Sequence, residues 1–253
     1  MGELPVPVDA LYGASTQRAV LNFPISGQPL PRGFIRALAL IKLAAAETNG
    51  ELGLLEPDVA RAIAAAAASV ADGDHDAQFP IDIYQTGSGT STNTNMNEVV
   101  ATLAGRRLGD GRTVHPNDQV NRCQSSNDTI PTALQLSAAM AIEESLLPAL
   151  IELQTALAAK ADEFWPVVKT GRTHLQDATP IRLGQEFRGY AGQVEESIRR
   201  TRAAQEELLS VPLGGTAVGT GINAHPEFAA RACQRLAELT GLPVRETRTR
   251  GGR

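Results

Sequence analysis

Fifteen residues, QTGSGTSTNTNMNEV from Gln85 to Val99, carry six hydroxyl side chains and three asparagines around two glycines, with Glu98 as the one charge. So many neutral donors can grip a small anion without fixing a counter-charge. Three other stretches offer chemistry. QSSND, Gln124 to Asp128, adds two serines and an amide; KTGRTHLQDATPIRLGQ places His174 beside Thr173; TVHPNDQVNRC holds His115, Asn117 and Asp118 in a turn. A histidine in a polar loop can orient water or move a proton near neutral pH.

Each stretch has a plainer reading. Ser, Asn and Asp before a helix cap its orphan amides, a Pro-Asn-Asp turn closes on its own Asx bonds, and either histidine can be a satisfied structural group. Where a helix start does meet a ligand, free N–H groups and the dipole favour a carboxylate or phosphate. GSGT lacks the lysine of a P-loop and no GxGxxG spacing occurs, so a carboxylate is the better match. His115, Asp118 and His174 could be imagined around a metal, but no HxxxH, HxH or cysteine cluster supports one, and none is expected.

The elements that must position these residues read as helices. Pro31 to Asn49 is densely apolar and stops at Asn49-Gly50; a second helix runs from Glu56-Pro57 to Asp72-Gly73. The opening, Met1 to Pro31, reads as loops with one short strand. The first polar run should lead into a helix near Asn97-Glu98. SSND should lead into a long helix, Thr129 to Glu163, with Pro148 taken up as a kink. Two apolar stripes mark that helix, Leu136, Met140, Leu147, Leu150, Leu157 and Ala139, Ile142, Leu146, Leu153, as expected of a bundle interior. Arg182 to Ser210 and Glu227 to Thr240 are further helices. The fold expected is mainly α: an N-terminal domain over 1–124, part of a helical bundle over 125–244, and an atypical basic tail, RETRTRGGR, over 245–253.

Composition agrees with a folded helical protein: 42% apolar and 20% charged residues, but only 4% aromatic, so the core must be built from Ala, Leu, Ile and Val. A net charge of −5 without a basic, aromatic-studded face argues against nucleic acid. Cys123 and Cys233 are expected as free thiols of a reducing compartment. No targeting sequence or membrane span is read, and the expected location is the cytoplasm.

In this order, TGSGTSTNTNMNEV, HPNDQVNRCQSSNDTIPTA, KTGRTHLQDATPIRLGQEF and GGTAVGTGINAHP resemble class II fumarase, in the fumarase/aspartase superfamily, over nearly the whole chain. QTGSGT, HPND, QSSND and INAHP favour fumarase over aspartase, an aspartate ammonia-lyase. The resemblance implies interconversion of fumarate and L-malate without a metal or cofactor, by a homotetramer whose long helices form a central bundle. It implies that Ser88, Gly89 and Thr90 hold a substrate carboxylate, with Ser125, Ser126 and Asn127 contributing from a second chain. Thr173 and His174 would stand at the reacting water, His174 as an acid/base group. Arg112, His115, Asn117 and Asp118 match a second dicarboxylate site.

The family's loop GSSxMPxKxNP, with its presumed base serine, does not occur in these residues. The expectation is therefore of a truncated enzyme with little activity alone, or of a non-catalytic helical fragment that binds dicarboxylates or other chains.

Overall fold

The computed structural model describes residues 3–109 and 111–247. It divides into two compact units, Met1–Ser137 with Leu209–Arg253, and Ala138–Leu208.

The first unit is built on helix α2 (Arg32–Glu51), which packs against α3 (Pro57–Asp72), α4 (Thr90–Leu108) and α8 (Phe228–Thr240). Ala37, Leu38, Ala39, Ile41, Ala44 and Ala45 of α2 are all fully buried, so this helix is surrounded. Alanine serves where neighbouring backbones approach closely; Leu38 and Ile41 each contribute roughly 1.5–3 kcal/mol by leaving water. Pro57 opens α3, and Gly73 closes it in the left-handed region at φ 98°.

The opening segment corrects the sequence reading. Instead of loops and a strand it holds a helix, α1 (Ala14–Asn22), and its β contact is a single bridge between Pro29 and Asp82. The cap of α1 comes from far along the chain: Glu98 of α4 accepts from the amides of Gly13 (2.8 Å) and Thr16 (3.2 Å) and from the Thr16 hydroxyl (2.6 Å). No local residue announces such a helix. Asp82 likewise ties down the Ser26–Gly27 turn through both backbone amides, and bonds from those amides and Tyr84 hold its carboxyl down at about 2.

The long helix begins at Ser126. α5 (Ser126–Ala141) passes through one widened π-type turn, Ile142–Leu146, into α6 (Leu147–Glu163). Pro148 has no N–H for the carbonyl four residues back and its ring would strike that carbonyl, so the turn before it opens. By length and composition alone Ser126–Glu163 could cross a bilayer, contrary to the sequence expectation. Its acidic residues Glu143, Glu144 and Glu152 and the pairing of α6 with α7 fit a bundle helix better.

In the second unit α7 (Leu183–Leu208) returns along α6. At one end Gly184 lies against the Ala161 carbonyl, 2.3 Å from where a Cβ would stand; at the other, Gln205 Nε2 donates to the Ala139 carbonyl at 3.0 Å. Between the helices β1 (Val168–Thr173) and β2 (Gln176–Arg182) form an antiparallel hairpin where the sequence suggested a polar loop. One stripe of the long helix is buried at Leu136, Met140 and Leu147, whereas Leu146 and Leu153 of the other are 45% and 48% exposed.

The basic tail begins as ordered backbone: β4 (Arg245–Glu246) pairs in parallel with β3 (Ser210–Val211). Arg248 to Arg253 lie outside the described residues.

Candidate functional site

The polar run enters α4 earlier than expected: Gln85–Gly89 precede the helix and Thr90–Asn97 form its first two turns. α4 starts at Thr90, with Gly89 as its cap in the left-handed region at φ 69°. Asn93, Asn95 and Asn97 are buried, which helix propensity and amphipathic pattern both argue against. Tertiary partners decide it: Asn95 Nδ2 donates to the Gln78 carbonyl at 2.9 Å, Thr92 N donates to Gln85 Oε1 at 3.1 Å, and Asn93 joins a network described below. Ser88 and Thr90 remain exposed with their hydroxyls 2.9 Å apart.

Gly89 abuts α5. A Cβ there would lie 2.8 Å from Ile130 Cγ2, so only glycine lets the two helix starts meet. A second contact joins them, Asn93 Nδ2 donating to Ser126 Oγ at 3.2 Å. Ser88–Thr90 and Ser125–Asn127 therefore neighbour each other within one chain.

Part of the SSND stretch is a cap. Ser125 Oγ accepts from Asn127 N (3.3 Å), and the Asp128 carboxylate reaches back to Ser125 N (2.9 Å), a reciprocal capping box. The other Asp128 oxygen accepts from Gly214 N (3.0 Å) and Thr216 N (2.8 Å), and Asn127 Nδ2 donates to the Ala217 carbonyl (2.7 Å). The GGTAVGTG loop is thereby fastened to the start of α5. Burial raises the Asp128 carboxyl above its ordinary value, against these amides and the charge of Lys42.

Lys42 is the residue the sequence reading missed. It is fully buried, and its ammonium donates to Asn93 Oδ1 (2.7 Å), Asn121 Oδ1 (2.9 Å) and Gln124 Oε1 (2.9 Å). Burial lowers its pKa to about 7, with the Asp128 carboxylate acting in the opposite direction. Three acceptors match the three protons of an ammonium, the form the lysine takes at and below that pKa. A single lysine inside ALALIKLAAAE was the available signal, since a charge there must be buried and paired.

His174 and Leu175 form the two-residue tip of the hairpin in the second unit, at φ 49° and 60°, with Thr173 paired to Gln176. A leucine in that region costs about 1–2 kcal/mol. Arg172 braces the tip, donating to Asp177 Oδ1 (2.6 Å) and the Leu175 carbonyl (3.0 Å). Thr173 and His174 are exposed there.

His115 caps a π-type turn, Pro116–Val120, and its Nδ1 accepts from the amides of Asn117 (3.3 Å) and Asp118 (3.0 Å). That use of Nδ1 as an acceptor puts the ring proton on Nε2 and leaves the Nδ1–Asp118 approach of 3.2 Å short of an ion pair. Arg112 pairs with Asp58 and, with Pro116, lines a groove of about 650 Å³ beside α4. Both cysteines are buried free thiols.

Residues 2–250 match the lyase family. The chain is 57% identical to a class II fumarate hydratase of Mycobacterium tuberculosis over 96% of its length and 50% of the relative's, and 55% identical to one of Halobacterium salinarum over 97% and 53%. The crystal structure of a class II fumarase from Schistosoma mansoni superimposes with a TM-score of 0.96 at 38% identity, over 98% of this chain and 56% of that one. The chain spans about half the length of the curated relatives it matches. It belongs to the lyase family, in the fumarase/aspartase superfamily alongside class II fumarate hydratases.

Proposed function

We propose that this chain carries the carboxylate-anchoring part of a fumarate hydratase, which adds water reversibly to fumarate to give L-malate. The observation that carries this reading is the meeting of two helix starts, α4 with the exposed hydroxyls of Ser88 and Thr90 and α5 with Ser126, which Asn93 links to the buried Lys42 ammonium. Removing the proton next to a carboxylate places a second negative charge on that group in the transition state. Donors already aimed at it stabilise the barrier more than the ground state.

Ser88, Gly89, Thr90, Ser125, Ser126 and Asn127 are the substrate contacts. Thr173 and His174, on their braced hairpin, serve the reacting water. Arg112, His115, Asn117 and Asp118 form a second dicarboxylate site. The exposed stripe at Leu146 and Leu153 supports assembly into a homo-oligomer, and the proposed setting is the cytoplasm.

Calorimetric titration of the chain with fumarate, L-malate and L-aspartate tests this. Fumarate and L-malate should bind and L-aspartate more weakly, since its ammonium finds no carboxylate among Ser88, Gly89, Thr90, Ser125, Ser126 and Asn127. Preference for L-aspartate would transfer the reading to an ammonia-lyase, and binding of none of the three would overturn it.

A further inference from the structure

An ammonium can only donate, so Lys42 dictates which way its neighbours face. Its contact with Asn93 at 2.7 Å must be to the amide oxygen; the Thr129 hydroxyl, which donates to the Ser125 carbonyl at 2.8 Å, lies 3.3 Å from that same oxygen. The Asn93 NH₂ is therefore turned to the other side, where it meets Asn121 Oδ1 and Ser126 Oγ, each at 3.2 Å. Ser126 Oγ accepts that bond, so its own proton must be given elsewhere. Asn121, held by the same ammonium, reinforces the arrangement by offering its oxygen to both.

We propose that Lys42 is a positioning residue: by setting the orientation of the Asn93 amide it makes Ser126 an outward proton donor, committed to the carboxylate of a bound dicarboxylate. This rests on the reading of Ser126 as a substrate contact. If the lysine is replaced by an apolar side chain, the Asn93 oxygen keeps only the 3.3 Å approach of the Thr129 hydroxyl, whose nearer acceptor is the Ser125 carbonyl at 2.8 Å. The amide is then free to turn over and take the Ser126 proton itself, and the site loses a donor without losing a residue that touches the ligand.

The test is the affinity of the full chain for succinate, an unreactive four-carbon dicarboxylate, measured at about pH 6, where Lys42 holds its proton, for the wild type and for Lys42→Met, Ser126→Ala, the double variant and Asn93→Asp. Lys42→Met should weaken binding about tenfold or more, as Ser126→Ala does, and the double variant should be no weaker than Ser126→Ala alone. Asn93→Asp keeps a partner for the ammonium, and so the fold, but its carboxylate can only accept. It should draw the Ser126 proton inward and fall to the Ser126→Ala affinity. This variant decides the matter if Lys42→Met does not fold. Additive losses, or wild-type affinity in Asn93→Asp, would overturn the role of Lys42 while leaving Ser126 as a contact. Absence of succinate binding by the wild type would overturn the substrate-site reading and this proposal with it.

Discussion

Lys42 Nζ lies 2.7 Å from Asn93 Oδ1, and through that one amide a fully buried charge on α2 reaches the hydroxyl of Ser126 at the start of α5. The same ammonium holds Asn121 and Gln124, which close the segment leading into α5. The polar network joins three elements whose apolar packing alone would leave those amides unsatisfied.

Burial of that charge makes stability depend on pH. The Lys42 pKa falls from 10.5 to about 7 on folding, so between those values the unfolded chain holds a proton that the folded chain has lost. Stability should rise as the pH is raised from 7 towards 10, by an amount on the order of a few kcal/mol across the window. Asp128 is the charged group coupled to it, and its raised pKa acts at the acid end, where its contribution is lost as the pH rises through the folded value. Melting curves between pH 7 and 9 check this: the wild type should gain stability and Lys42→Met should not.

Gly89 sits at φ 69° with Ile130 directly against it. Gly89→Ala should cost about 1–2 kcal/mol from the backbone alone, with the clash at Ile130 added. Urea denaturation measures the loss. Succinate affinity should fall with it, because α4 and α5 are pushed apart at their starts; unchanged stability would contradict the close approach.

Much of the scaffold was legible. α2, α3, α7 and α8 follow the apolar period; α3 and α8 end at Gly73 and Gly241, whereas α2 runs through Gly50 to Glu51 and α7 stops at Leu208, short of Ser210. α1 was not, because its cap is the distant Glu98. The start of α4 at Thr90 was hidden because its asparagines are buried, Asn93 and Asn95 with partners contributed by other elements. The motif residues of the proposed site stand out in the sequence, but Lys42 was passed over although it lies alone in the apolar run ALALIKLAAAE. Its role depends on Asn93, Asn121 and Gln124 converging from 51 residues away and further.

Leu146 and Leu153 leave an apolar stripe of the long helix in water. Exposed area of this kind is worth roughly 25 cal/mol per Å² when covered, enough to drive association. Light scattering after size exclusion should find the chain oligomeric, and a Leu146→Glu, Leu153→Glu variant should shift it towards smaller species. A cooperatively melting wild-type monomer would contradict this.

Binding and turnover should separate in this polypeptide. Its 253 residues do not contain GSSxMPxKxNP. Loss of a general base commonly costs ~10²- to 10⁴-fold. Conversion of L-malate to fumarate, followed in the ultraviolet, should be slower than that of a full-length relative by at least this factor; comparable turnover would show that the base lies among the residues present.

The central claim is that the adjoining starts of α4 and α5 hold a dicarboxylate. Its most direct test is a fumarate titration of the ¹⁵N-labelled chain followed residue by residue in amide spectra. Saturable shifts should concentrate at Ser88–Thr90 and Ser125–Asn127. Saturable shifts confined to other parts of the chain, with those six amides unmoved, would contradict it.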